Sequence, residues 1–148
     1  MNRKTFLGAA IAALLGGCQT SVSQPPPFRD EVTCTQPVCQ IKITVIQDEY
    51  IKVSPEILRI KGNQNVMIHW VLQTGTYEFK SDGIQFYDPK HTSQFYDSAV
   101  QGNGAQFQWK DKNSKSDDPP WAYQITVYPR QGGGKALTRD PAIFNDGG

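Results

Sequence analysis

Val66-Met67-Ile68-His69-Trp70-Val71-Leu72 decides the fold class. Val66, Ile68, Trp70 and Leu72 fall on one face of an extended chain, and Met67, His69 and Val71 on the other. A strand apolar on both faces is covered on both, which predicts a central place in a sheet. The runs around it carry the alternation of half-buried strands. Ile41, Ile43 and Val45 alternate with Lys42 and Thr44; Phe107 and Trp109 alternate with Gln106, Gln108 and Lys110; Tyr123, Ile125 and Val127 alternate with Gln124 and Thr126. Shorter strands are expected at Ile51–Val53, Ile57–Ile60, Tyr77–Phe79 and Ile84–Tyr87. Between them stand Lys61-Gly62-Asn63, Ser81-Asp82-Gly83, Asp88-Pro89 and Gly102-Asn103-Gly104, residues that supply or preset turn dihedrals. Past the first segment no window repeats apolar residues at helical spacing. The pattern predicts an all-β, antiparallel Greek-key sandwich of about seven or eight strands.

The first segment reads differently. Arg3 and Lys4 precede an apolar run from Phe6 to Leu15, long enough for a signal-peptide core and short of the roughly 20 residues of a spanning helix. It ends in Leu15-Gly16-Gly17-Cys18, which resembles the lipobox of bacterial lipoproteins. The resemblance implies that residues 1–17 are a signal peptide and that Cys18 carries the lipid. Gln19 after that cysteine implies the outer membrane, with the domain in the periplasm. Each buried acyl CH₂ contributes roughly 0.8 kcal/mol, so several chains on one residue hold a domain at a membrane surface without inserting its fold.

Residues 18–30 then read as a tether. They are Ser/Gln-rich at first and stiffened by Pro25-Pro26-Pro27, with a reach of about 35 Å from the lipid. Residues 31–129 hold the strand pattern and form the domain. Residues 130–148 open with Gly132-Gly133-Gly134 and read as a tail, mobile as most such tails are, or folded back through Ile143-Phe144. Lys110–Pro120 reads as a charged loop before the last strand of the domain.

Removing Arg3 and Lys4 from the fifteen Lys and Arg leaves thirteen against fourteen Asp and Glu. So even a balance offers no counterion-release drive toward nucleic acid. With Cys18 committed to lipid, Cys34 and Cys39 remain, an even pair in an oxidising compartment, and a local disulfide is the expectation. A metal pair or a redox dithiol is the other use, but no cysteine or histidine nearby completes such a site.

Val53-Ser54-Pro55-Glu56-Ile57-Leu58-Arg59-Ile60-Lys61-Gly62, followed by Val66-Met67-Ile68-His69-Trp70, resembles the second and third strands of a cupredoxin. Phe107-x-Trp109 and Tyr123-x-Ile125-x-Val127 resemble that family's closing strands. The resemblance implies the cupredoxin sandwich over most of residues 40–128. It does not carry the copper site, which needs two imidazoles and a thiolate, usually with an axial Met. Tyr77 stands where the first His would follow the Trp strand, and no Cys, His or Met occurs between Trp109 and Tyr128.

The remaining reactive residues are sparse. His69 reads as a core or interface histidine, with Met67 on the same face of its strand. His91 reads as part of a polar turn, near enough in sequence to Asp88 and Asp97 for a weak surface site. Asp117-Asp118 reads as a solvated loop. No nucleophile elbow, zincin motif or phosphate-cradling loop is present. An enzyme is therefore not expected, and neither is a cofactor; a non-standard copper or redox site at His69, Met67 or His91 is the alternative. Tyr77, Phe79, Phe86, Tyr87, Phe95 and Tyr96 cluster among glutamines. They serve either strand packing or a rim suited to an envelope protein or glycan. The expectation is a non-catalytic, lipid-anchored module that binds or scaffolds another envelope component.

Overall fold

A computed structural model describes residues 30–62, 64–114 and 119–147. The expected signal peptide, Cys18, the expected tether up to Arg29 and the Asp117-Asp118 pair lie outside the described residues.

The described chain is almost entirely strand. In order it forms β1 (Glu31–Cys34), β2 (Val38–Ile46), β3 (Tyr50–Ser54), β4 (Ile57–Ile60), β5 (Val66–Leu72) and β6 (Tyr77–Glu78). After β7 (Ile84–Phe86) comes a 3₁₀ turn at Pro89–Ser93, followed by β8 (Phe95–Gln101), β9 (Gln106–Asp111), β10 (Trp121–Pro129), β11 (Leu137–Arg139) and β12 (Ala142–Asn145). Two sheets pack face to face as a sandwich. One holds β3-β2-β5-β9-β8 in that order; the other holds β1-β4-β12-β10-β11, with β6 and β7 also on β10.

β5 is the central strand of its sheet, as its two apolar faces imply. Val66, Ile68, Trp70 and Leu72 are buried against the other sheet, and Met67, His69 and Val71 stay half-buried outside. β2 buries Cys39, Ile41, Ile43 and Val45 in the same way. From the opposite sheet come Leu58, Ile60, Tyr123, Ile125, Val127 and Ile143. A fully buried side chain of this size contributes roughly 1.5–3 kcal/mol by leaving water.

Seven of the ten strand pairings are antiparallel, and β1–β4, β4–β12 and β2–β5 are parallel. The parallel pairs follow from the path of the chain. β1 lies in one sheet, β2 and β3 in the other, β4 in the first and β5 back in the second. Each crossing brings a strand back beside an earlier one in the same direction, where a hairpin could only reverse it.

The segment beyond residue 130 is not a tail. β11 and β12 pair with β10 in one continuous antiparallel register, Val127 opposite Leu137 and Trp121 opposite Ile143. Ile125 pairs with Arg139 on one side and with Ile84 on the other, so β10 lies between them. β12 in turn pairs with β4. β12 is thus interior to the sheet, with β11 beside β10, and the domain runs past residue 129 to include both. Ile143 gains the core by tertiary pairing, although its own strand shows only a four-residue pattern.

Three buried polar side chains hold the end of β12. Asn145 Nδ2 donates to Asp111 Oδ1 at 3.2 Å, the Asn113 amide donates to the same oxygen at 2.9 Å, and Asn113 Oδ1 accepts from the Gly147 amide at 3.2 Å. These bonds tie the end of the last strand to β9 of the opposite sheet.

Candidate functional site

Cys34 and Cys39 form a disulfide with Cα atoms 6.0 Å apart. Cys34 ends β1 and Cys39 lies in β2, so the bond spans the point where the chain passes from one sheet to the other.

The residues of the alternative metal site are not brought together. Met67 and His69 do share the outer face of β5. Met67 lies between Val38 and Lys110, and His69 between Gln40 and Gln108. His69 Nε2 is buried there without a hydrogen-bond partner among the described residues. His91 belongs elsewhere. It lies in the 3₁₀ turn with Nδ1 2.8 Å from the Asp88 carbonyl oxygen, its ring stacked on Phe86 at 5.3 Å and edge-on to Trp109 at 5.8 Å. The polar turn therefore has an aromatic floor, which the sequence around His91 does not announce. Among the described residues no three His, Cys, Asp or Glu side chains gather as metal ligands.

The six aromatics do not form one surface. Tyr77, Phe79, Phe86 and Phe95 are 4%, 2%, 9% and 1% exposed, against 56% for Tyr87. Phe86 and Phe95 stack at 4.1 Å, and Phe79 meets Phe107 edge-to-face at 5.9 Å. The stretch from 77 to 96 passes from one sheet to the other and turns most of its rings inward, because each ring buries 150–250 Å² there. Only Tyr87 and the half-buried Tyr96 reach the surface, and both are tied down. The Tyr87 hydroxyl donates to Asp140 Oδ1, and Tyr96 donates to Asn65 Oδ1 at 3.0 Å. The expected aromatic rim is corrected to these two residues.

Tyr77 leads to a different site. At the end of the sandwich away from the disulfide, three turns converge on a cleft of about 380 Å³ lined by Asp48, Thr76, Tyr77, Arg130, Gln131 and Lys135, with Gly75, Pro129 and Gly134. The volume lies within the range of small-molecule sites. Asp48 comes from the β2–β3 turn, where Gln47 and Asp48 both take left-handed backbone at φ 52° and 56°. Thr76 precedes β6, and its carbonyl accepts the Arg130 amide at 2.9 Å, which fixes the start of the β10–β11 loop. Gly134 packs so closely on Pro129 that a Cβ there would lie 2.9 Å from Pro129 Cγ.

Arg130 is structural rather than free. Nε donates to the Tyr77 carbonyl at 3.1 Å, one terminal nitrogen pairs with Glu78 at 3.2 Å and the other donates to the Asn103 carbonyl at 2.6 Å. Burial, followed by the charge and hydrogen bond of Asp48, holds the Tyr77 hydroxyl above the ordinary tyrosine range. The Asp48 carboxylate and the Lys135 ammonium have no ion-pair partner among the described residues, in each other or elsewhere. The cleft holds no histidine, cysteine or serine. The groups in its lining are those of charge pairing and hydrogen bonding.

No family model matches the chain, and no curated protein matches it.

The sequence marks the cleft only faintly. Thr74-Gly75-Thr76 and Gly132-Gly133-Gly134-Lys135 read as turns, and their meeting depends on how β2, β5 and β10 end side by side.

Proposed function

We propose that this chain is a non-catalytic, lipid-anchored binding module of the bacterial envelope, held by Cys18 to the outer membrane with its sandwich in the periplasm. The cleft at the end of the sandwich carries the binding half of this reading. It is concave, mounted on strand ends, and lined by Asp48 and Lys135, which have no ion-pair partner among the described residues. The lipobox-like Leu15-Gly16-Gly17-Cys18 and the proline-containing tether support the anchored half. The cupredoxin-like strand motifs fit a Greek-key sandwich that has kept its shell and given up its copper ligands. The partner is an envelope protein or glycan.

Two measurements test it. Labelling cells with a fatty-acid probe should mark the wild-type chain and leave Cys18→Ser unlabelled; equal labelling sinks the anchor. A photocrosslinker at Gln131, on the cleft rim, should capture an envelope component that a crosslinker at Lys52, on the outer face of β3, does not. Identical capture from both positions counts against the cleft.

One observation favours a second reading, a copper or redox protein. His69 Nε2 is buried and unpartnered on the same strand face as Met67, and imidazole with thioether suits Cu(I). Titration of the full chain with Cu(I) and Cu(II) decides between the readings. Stoichiometric binding abolished by His69→Ala would establish the second.

A further inference from the structure

The cleft presents one carboxylate and one ammonium that the fold leaves without ion-pair partners, and this balance restricts what it would take. Arg130, the other charge in the lining, is already neutralised by Glu78 and spent on two carbonyls. Asp48 and Lys135 are exposed residues on separate turns that line the same 380 Å³ cleft. A ligand with a single charge pairs with one of them and gains nothing from the other. A ligand carrying both charges satisfies both. Thr76 and Gln131 add a hydroxyl and an amide able to donate or accept between the two poles.

We infer that the cleft binds a small zwitterion, an amino acid or short peptide whose ammonium pairs with Asp48 and whose carboxylate pairs with Lys135. The inference rests on the binding-module reading and names its ligand class. Tyr77 is buried beside the cleft and its hydroxyl feels the Asp48 charge, which makes it a positioning residue for the ammonium end. Gly75 lines the cleft, and a Cβ placed on it meets nothing within 4 Å. The fold therefore tolerates a side chain there, and the ligand does not.

The test titrates the full chain, held in detergent micelles, with alanyl-alanine, its C-terminal amide and its N-acetyl form, following backbone amide shifts and calorimetric heat. The free dipeptide should produce saturable shifts at residues 48, 75, 76, 131 and 135. Removing either charge should weaken binding about fivefold, as expected for ion pairs near the surface. Asp48→Asn should erase the preference for the free ammonium, and Lys135→Gln the preference for the free carboxylate. Asparagine tolerates the left-handed backbone at position 48, so the first variant keeps its turn. Gly75→Leu should block all three probes. Two results overturn the inference: no saturable shift with the dipeptide at 10 mM, roughly the weakest affinity of interest, or binding indifferent to both charges. If either occurs while a crosslinker at Gln131 still captures an envelope component, the zwitterion is discarded and the binding module stands.

Discussion

Trp70 Nε1 donates to the Tyr123 hydroxyl at 3.1 Å, and the two rings meet edge-to-face with centroids 5.6 Å apart. Both side chains are fully buried. Trp70 belongs to the central strand of one sheet and Tyr123 to β10 of the other, so this single bond crosses the interior and satisfies the one polar atom of the indole. Around it, Phe107 packs on Trp70 at 6.5 Å and Phe86 on Tyr123 at 5.6 Å.

Tyr123→Phe therefore strands a buried N–H. A loss of about 1–3 kcal/mol is expected, read from urea denaturation at pH 7. Trp70→Phe in the same background should cost less than the two changes add up to, because the orphaned donor is then gone.

The same tyrosine sets an alkaline limit. Burial raises the Tyr123 pKa far above its ordinary 10.0. In the unfolded chain the group loses its proton near pH 10, whereas in the folded chain it keeps it. Its contribution to stability is therefore complete below about pH 10 and is lost as pH rises beyond, by about 1.4 kcal/mol per pH unit. Tyr87 and Tyr128, raised by their hydrogen bonds to Asp140 and Asp82, act in the same direction. Denaturation midpoints at pH 9, 10 and 11 should fall with a slope that is shallower in Tyr123→Phe.

Cys34→Ser with Cys39→Ser should cost about 2 kcal/mol, the loop-closure term for so short a loop. The loosening should concentrate at β1, which among the described strands pairs with β4 alone. Hydrogen exchange should show Val32 and Thr33 losing protection before any residue of β5; uniform loss along the sandwich would contradict the staple's local role.

Ile143→Ala should destabilise by about 2–5 kcal/mol, and removing residues 137–148 should prevent folding. A mobile tail would tolerate both. β12 separates β4 from β10, so its loss unpairs two strands at once. Circular dichroism and limited proteolysis of the truncated chain check this directly.

Gly104→Ala should cost about 1–3 kcal/mol. Gly104 has φ +81°, and a Cβ there would lie 2.8 Å from Glu78 Cβ and 3.1 Å from the Phe79 carbonyl oxygen. Gly62→Ala, at φ +76° with open space around it, should cost less, and the difference in melting temperature isolates the steric part.

The strands legible in the sequence are those whose inner residues alternate without interruption. β5 runs from Val66 to Leu72 as its pattern indicates, and β2, β9 and β10 contain the alternating runs read within them. β8 was not legible because its register shifts between Tyr96 and Ala99 and Asp97 takes φ 53°; a bulge breaks the period on which reading a strand depends. β11 and β12 are short, and Asp140-Pro141 separates them, so local pattern had little to show. Tyr77 was singled out for a surface and proves to line the cleft. Asp48 and Lys135 lie in turns whose convergence no local spacing encodes.

By itself the sequence determined the all-β class, the central place of Val66–Leu72, the Cys34–Cys39 pairing and a core built on period two. These follow from side-chain direction along an extended chain, which is a local property. Only the tertiary structure decided that β12 lies inside the sheet, that four of six clustered aromatics face inward, and that Asp48 and Lys135 share one cleft. Those outcomes depend on which strands lie side by side. Strand order is settled by the burial and pairing of residues far apart in the chain, and no short stretch of sequence contains both partners.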